Sequence, residues 1–183
     1  MILPIVQYGH KVLRQETSEV GADYQDLKQL ITNMWETMYK AEGCGLAAPQ
    51  IGLSLRIFVV DANELSESYP ETAGFTKTFI NPEIIERSEE MIPFKEGCLS
   101  LPGISEQVMR HKRIRIKYLD ENLQPHDDII EGVCAVCVQH EYDHIEGKLF
   151  VDHIGPLKRR ILKNKLTNIS KGKAGAHYRI TIP

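Results

Sequence analysis

One helix constrains this chain more than any other feature. Residues Gly132 to Glu146 read as a helix closed by Gly147, and its inward stripe mixes apolar with metal-ligating side chains. Val133, Val136, Cys137, His140 and His144 fall at i, i+3, i+4, i+7 and i+11, one face of a 3.6-residue repeat. Side chains four apart on a helix lie one above the other, about 5–6 Å between Cβ atoms. Two imidazoles stacked this way among apolar neighbours need a buried partner, and a divalent metal ion satisfies both. Glu141 lies between them, close enough to act on water at that metal. Such a helix has to sit inside the fold, so the other elements must wrap around it.

Those other elements are mostly strands. Leu55 to Val60 reads as a strand, and Arg113 to Tyr118 alternates strictly, with Ile114, Ile116 and Tyr118 on one face and cations on the other. Gln124 to Ile130 follows the turn at Asp120–Asn122 as its partner. Thr78–Ile80 and Glu83–Ile85 read as two short strands broken by Asn81-Pro82, and Asn63 to Gly74 as a surface loop. An amphipathic helix is expected from Asp23, as N-cap, to Glu42, stopped by Gly43; its stripe is Leu27, Leu30, Ile31, Met34 and Met38, with Trp35 as a packing residue. Pro156 opens a final basic helix to about Ile169, and residues 170–183 form a tail of weak structure. The expected class is α+β: antiparallel or mixed β-sheets packed around the central helix, with a further C-terminal helix. Residues 1–169 are expected to form a single domain.

Charge is unevenly spread. The formal net charge of -3 hides eight basic and no acidic side chains within 157–183, which leaves 14 basic against 25 acidic residues in the rest. An acidic body with a basic end can meet a polyanion that a uniformly acidic chain would repel. With 183 residues and 42% hydrophobic content the chain supports its own core and is not a disordered sequence. No apolar run approaches the ~20 residues that span a bilayer, so no membrane partner is expected. Met1 to Val6 lacks the basic start and long apolar stretch of a signal peptide. The expected location is the cytoplasm, with Cys44, Cys98, Cys134 and Cys137 reduced. Cys134 and Cys137 have a Cys-x-x-Cys spacing but lie in a helix interior, which favours buried apolar thiols over a redox pair.

A catalytic metal site wants a third protein ligand and an open position. Cys98, Cys44, Cys134, Cys137 and the remaining histidines and acidic residues are all candidates. Cys98 stands out in Glu96-Gly-Cys-Leu-Ser-Leu-Pro102, where a preceding glycine allows close backbone approach. A third cluster, Gly43-Cys-Gly-Leu-Ala-Ala-Pro-Gln-Ile-Gly52, joins flexible glycines to the amide of Gln50. The His-Glu-x-x-His helix alone also fits an unrelated zinc peptidase. A closed structural zinc site is the other alternative, and it leaves Glu141 and Gln50 without a role.

In this order, Gly43–Gln50, Glu96–Ser100 and Gln139–His144 resemble the three signature motifs of the peptide deformylases, over about residues 3–165. The resemblance implies a metal-dependent hydrolase that removes the formyl group from the N-terminal formylmethionine of newly made proteins, releasing formate. It implies Cys98, His140 and His144 as metal ligands, and Glu141 as general acid and base. The Gln50 amide and the Leu99 backbone N–H would hold the formyl oxygen. The family's native metal is Fe²⁺, with Zn²⁺ or Ni²⁺ as substitutes, although a Cys-His-His donor set by itself suggests zinc. Substrate-contacting residues are expected at Gly43, Cys44, Gly45, Leu46, Phe94, Val133, Val136 and Cys137. Asp143, paired with Arg110, is expected to support the ligands from behind. Cys44 stands where family members usually carry a larger aliphatic residue. Pro102–Glu106 lacks the peptide-gripping arginine of some bacterial members. The final helix resembles that of the deformylases that dock on the ribosome, where basic side chains would meet phosphates of ribosomal RNA.

Overall fold

The structure, a computed structural model, describes residues 1–21 and 23–182. Its elements in chain order are β1 (Ile5–Val6), α1 (Leu27–Lys40), β2 (Gly45–Ala47), β3 (Ile57–Asp61), β4 (Thr76–Arg87), β5 (Met91–Gly97), β6 (Ser105–His111), β7 (Arg113–Leu119), β8 (Pro125–Glu131), α2 (Gly132–Ile145), α3 (Pro156–Ser170) and β9 (Ile180–Thr181), joined by short 3-10 turns. A five-stranded antiparallel sheet runs β2-β3-β4-β7-β8, β5 and β6 form a separate hairpin, and β1 pairs in parallel with β9.

The sheet's alternation explains its two faces. Phe58, Val60, Phe79, Ile114, Ile116 and Ile130 pack against Ala135, Val138, Tyr142 and Ile145 of α2. Val59, Ile57, Ile80 and Leu46 point the other way, onto Ile31, Met34 and Met38 of α1. A third cluster joins Leu101, Ile104 and Val108 to Phe150, Val151 and the Leu162, Leu166, Ile169 stripe of α3. α2 is thus buried on nearly every side, beyond the single inward stripe read from its sequence: Cys134, Ala135, Val138, Glu141, Tyr142 and Ile145 are buried too.

Three expectations need correction. The first helix begins at Leu27, not Asp23; Tyr24 N–H donates to Gly21 O in a turn, and Asp26 takes a left-handed φ of 60°, which a helix cannot propagate through. Ala41, not Gly43, caps its end. Thr76–Arg87 is one strand rather than two. Asn81 adopts φ 50° and shifts the register, while its side chain accepts from Val20 N–H at 2.7 Å and donates to Val20 O at 2.9 Å. The tethered side chain turns an apparent break into a bulge. Finally, the tail beyond Ser170 is tied down: β9 pairs with β1, and Tyr178 packs on the α1 side of the core. Long-range pairing supplied by a distant strand leaves no local periodicity. Pro183 lies outside the described residues.

Candidate metal centre and substrate cleft

Cys98, His140 and His144 place one ligand atom each within 4.8 Å of one another. Cys98 Sγ stands 3.3 Å from His144 Nε2. α2 carries both histidines, and the loop after β5 brings Cys98 across to them. His140 Nδ1 lies 2.7 Å from Glu96 Oε2. An ionised carboxylate only accepts, so Nδ1 carries the proton and Nε2 faces the ligand cluster. The donor set therefore suits a divalent metal: a soft sulfur, an imidazole of defined tautomer, and a second imidazole. Burial pushes His144 well below the ordinary imidazole value, keeping it in the neutral form that ligates. At His140 burial alone would lower the pKa, but hydrogen bonds to Cys98 and Glu96 outweigh it and raise it well above the usual value. A proton so held is one that a metal displaces.

Behind the histidines lies a chain of buried charges. Arg110 donates to Glu96 through Nε (2.6 Å) and NH2 (2.9 Å), and to Asp143 Oδ2 through NH1 (2.6 Å). His153 Nε2 is 2.7 Å from the same Asp143 oxygen. Burial opposes ionisation of Glu96, yet Arg110 and His140 overcome it and hold the carboxyl down at about 2. Asp143 is likewise held well below the usual carboxylate range, because His153 and Arg110 outweigh its burial. Glu96 is the residue whose place here the sequence did not announce; its position two residues before Cys98 was the only signal. Gln139 ties α2 to β6, donating to His111 O at 2.8 Å and accepting from His111 N–H at 3.2 Å.

In front lies a cleft of about 1070 Å³, whose lining includes Gln50, Cys98, Leu99, His140 and Glu141. Gln50 is oriented by its own backbone neighbourhood. Ala47 N–H donates to its Oε1 at 2.9 Å, so the Nε2 donor points to Cys98 Sγ (3.5 Å) and Ser100 Oγ (3.3 Å). Burial raises Glu141 to about 7, and its Oε2 has no hydrogen-bond partner among the described residues. A carboxyl with that pKa can both take and give a proton near neutrality. Gly45 makes room for it, since a Cβ there would meet Glu141 Oε1 at 2.3 Å.

Gly43, Cys44, Gly45, Phe94, Val136 and Cys137 line the cleft; Leu46 and Val133 do not. Leu46 is turned by strand alternation into the α1 side of the core, and Val133 lies two helical turns before His140. The cysteines are unpaired thiols. Burial raises Cys134 to about 11 and Cys137 further, so both stay protonated and inert at neutral pH. His177 and Tyr178, from the tail, line the cleft without having been foreseen. Burial pushes the Tyr178 hydroxyl to about 12, leaving it a donor.

An α+β shell closed around a buried His-Glu-x-x-His helix, with a cysteine brought from a neighbouring loop, defines a metal-dependent hydrolase. Comparison with known proteins makes the class specific. The polypeptide deformylase family model matches residues 2–160. The peptide deformylase of Christiangramia forsetii is 47% identical over 190 residues, covering 100% of this chain and 97% of its own, and that of Flavobacterium psychrophilum is 48% identical over 189, with the same coverage. Among solved structures, a peptide deformylase from Legionella pneumophila superposes with a TM-score of 0.80 at 38% identity, covering 94% of this chain and 98% of that one. The Ehrlichia chaffeensis peptide deformylase in complex with actinonin gives 0.83 at 36% identity, with 95% and 99% covered. The chain belongs to the polypeptide deformylase family. It is an enzyme that removes the formyl group from the N-terminus of newly synthesised peptides, and its family is metal-dependent. Among the described residues no helix is long and apolar enough to cross a membrane.

Proposed function

We propose that Cys98, His140 and His144 hold the metal and that Glu141, Gln50 and Leu99 carry out deformylation around it. The observation behind this reading is the meeting of Cys98, His140 and His144 beside a cleft that Gln50 and Glu141 also line, with Glu141 Oε2 unpartnered among the described residues and Gln50 aimed by Ala47. The native ion is Fe²⁺, with Zn²⁺ or Ni²⁺ able to replace it, and when bound it supplies Lewis acidity that makes water a nucleophile at neutral pH. Glu141 takes a proton from the attacking water as the new C–O bond forms at the formyl carbon. The Gln50 Nε2 and the Leu99 backbone N–H donate to the oxygen where negative charge develops, a role worth most when the donors are fixed beforehand. Glu141 then passes its proton to the methionine nitrogen as the C–N bond breaks. Formate and a free amino terminus result.

The peptide lies along β2, an edge strand that among the described residues pairs with β3 alone, so that backbone bonds supply affinity without demanding a particular sequence. Cys44, Phe94, Val136 and Cys137 receive the methionine side chain. Residues 1–169 work as a single metal-hydrolase domain in the cytoplasm. Exposed Arg160, Lys163 and Lys165 on α3 dock on ribosomal RNA by salt-dependent phosphate contacts.

Metal analysis of anaerobically purified protein, paired with formate release from formyl-Met-Ala-Ser, tests the centre. Glu141→Gln should keep its metal and lose roughly 10²- to 10⁴-fold in turnover; near-normal turnover would refute the assignment. For the docking surface, changing Arg160, Lys163 and Lys165 to Glu should abolish cosedimentation with ribosomes at low salt, and unchanged cosedimentation would remove it.

A further inference from the structure

The tail beyond α3 has no part in the reading above, although it sits at the cleft. Gly175, Ala176, His177 and Tyr178 line the same cavity as Cys98 and Glu141. They lie beyond the residues matched by the family model. The segment is clamped at its far end: Ile5 N–H donates to Arg179 O at 2.8 Å and Gln7 N–H to Thr181 O at 3.1 Å.

Two contacts tie this strap to neighbouring parts of the site. The Tyr178 hydroxyl donates to Leu99 O at 2.6 Å, across 79 positions of sequence. His177 Nε2 lies 3.5 Å from Glu42 Oε2. Leu99 also packs against the turn after Glu42, since a Cβ on Gly43 would meet Leu99 Cδ1 at 2.7 Å. Strap, Cys98–Ser100 loop and Glu42–Gly43 turn therefore close around one end of the cleft.

We propose that Gly175–Tyr178 is a specificity wall for the peptide residues that follow formylmethionine, and that Tyr178 is the positioning residue for Leu99. The proposal rests on the assignment of the Leu99 N–H to the formyl oxygen. Leu99 lies between the two strands of the β5–β6 hairpin; its N–H shares a peptide plane with Cys98 O, which accepts from Leu101 N–H at 2.9 Å, and the next plane, carrying Leu99 O, is the one that Tyr178 ties down. A short hydrogen bond to its carbonyl limits rotation at that residue and, through its Cα, the direction of its N–H. Donors held in place before charge develops are the effective ones. The cleft also stands at the top of the about 300–1,000 Å³ range of pockets for drug-sized ligands. Formylmethionine alone does not fill it. Gly175 and Ala176 leave width for an extended chain with varied side chains, and Glu42 with His177 forms a polar rim.

The full-length, metal-loaded enzyme is assayed on formyl-Met-Ala-Ser and on formyl-methionine amide. Tyr178→Phe removes only the hydroxyl. It should lower kcat per bound metal about fivefold to tenfold on both substrates, with KM nearly unchanged. Ala176→Phe adds bulk to the wall, and should raise KM for the tripeptide about threefold to tenfold more than for the amide. A Tyr178→Phe enzyme with a lower Tm but unchanged kcat would reduce the hydroxyl to a structural tie and overturn the positioning role. Equal KM changes for the two substrates in Ala176→Phe, or none, would overturn the wall. Gln50→Ala separates the levels. If it is slow while both tail variants behave normally, the strap alone is refuted; if it is as fast as the parent, the formyl-oxygen assignment fails and the proposal with it.

Discussion

Glu96 Oε2 stands 2.7 Å from His140 Nδ1, and Arg110 grips the same carboxylate with two hydrogen bonds. A histidine held this way presents Nε2 to a metal in one tautomer and one orientation. Partners of this kind typically account for 10–100-fold in metal affinity. Glu96→Gln should therefore bind its metal roughly 10–100-fold more weakly in a chelator competition, while Cys98, His140 and His144 remain. Unaltered affinity would show that Glu96 serves folding alone.

Gly45 is set by close approach rather than by backbone conformation. A methyl group there would stand 2.3 Å from Glu141 Oε1 and 2.7 Å from its Cδ. The carboxyl would have to move by more than an ångström, a displacement that costs about 100-fold in rate. Gly45→Ala should lose about that much in kcat yet keep its metal. Full activity would mean that Glu141 has another productive position.

Asn81 carries the bulge that keeps β4 a single strand. Asn81→Ala removes two hydrogen bonds to Val20 and leaves an alanine at φ 50°. Together these should cost about 2–3 kcal/mol in denaturant unfolding. A change below about 0.5 kcal/mol, the range of an ordinary surface substitution, would contradict the tether.

Asp152 joins the N-terminal region to α3. It accepts from Arg14, from Leu149 N–H at 2.9 Å and from Arg159 at 3.2 Å. Burial would raise its carboxyl, but these donors hold it below the usual aspartate range. A lowered native pKa contributes stability above the unfolded value of about 3.9 that is lost as pH falls through the native one. Asp152→Asn should thus melt below the parent at neutral pH, and the two curves should converge as pH falls below the usual aspartate range. A constant gap across that range would assign the effect to packing.

Much of the centre is legible in the chain itself because its parts are local. The His140–His144 spacing on a helix, the strict alternation of Ile114, Ile116 and Tyr118, and the Gly-Cys pairs before β2 and at the end of β5 each carry their meaning within a few residues. The β5–β6 hairpin does not. Pro93 lies inside its first strand, where a proline argues against one, and Glu96 and Arg110 are buried charges at positions where a strand pattern calls for apolar ones. Their burial makes sense only once each is seen to neutralise the other.

By itself the amino-acid order determined which groups can do chemistry: a thiol, two imidazoles and a carboxyl at telling intervals, within an α+β alternation of strands and helices. Tertiary structure alone decided what stands behind and beside them. Glu96 on His140, Arg110 on Glu96, and Tyr178 on Leu99 join residues 44, 14 and 79 positions apart. No local periodicity encodes such pairs. Each forms because closing the chain around α2 strips water from polar groups, which must then find one another.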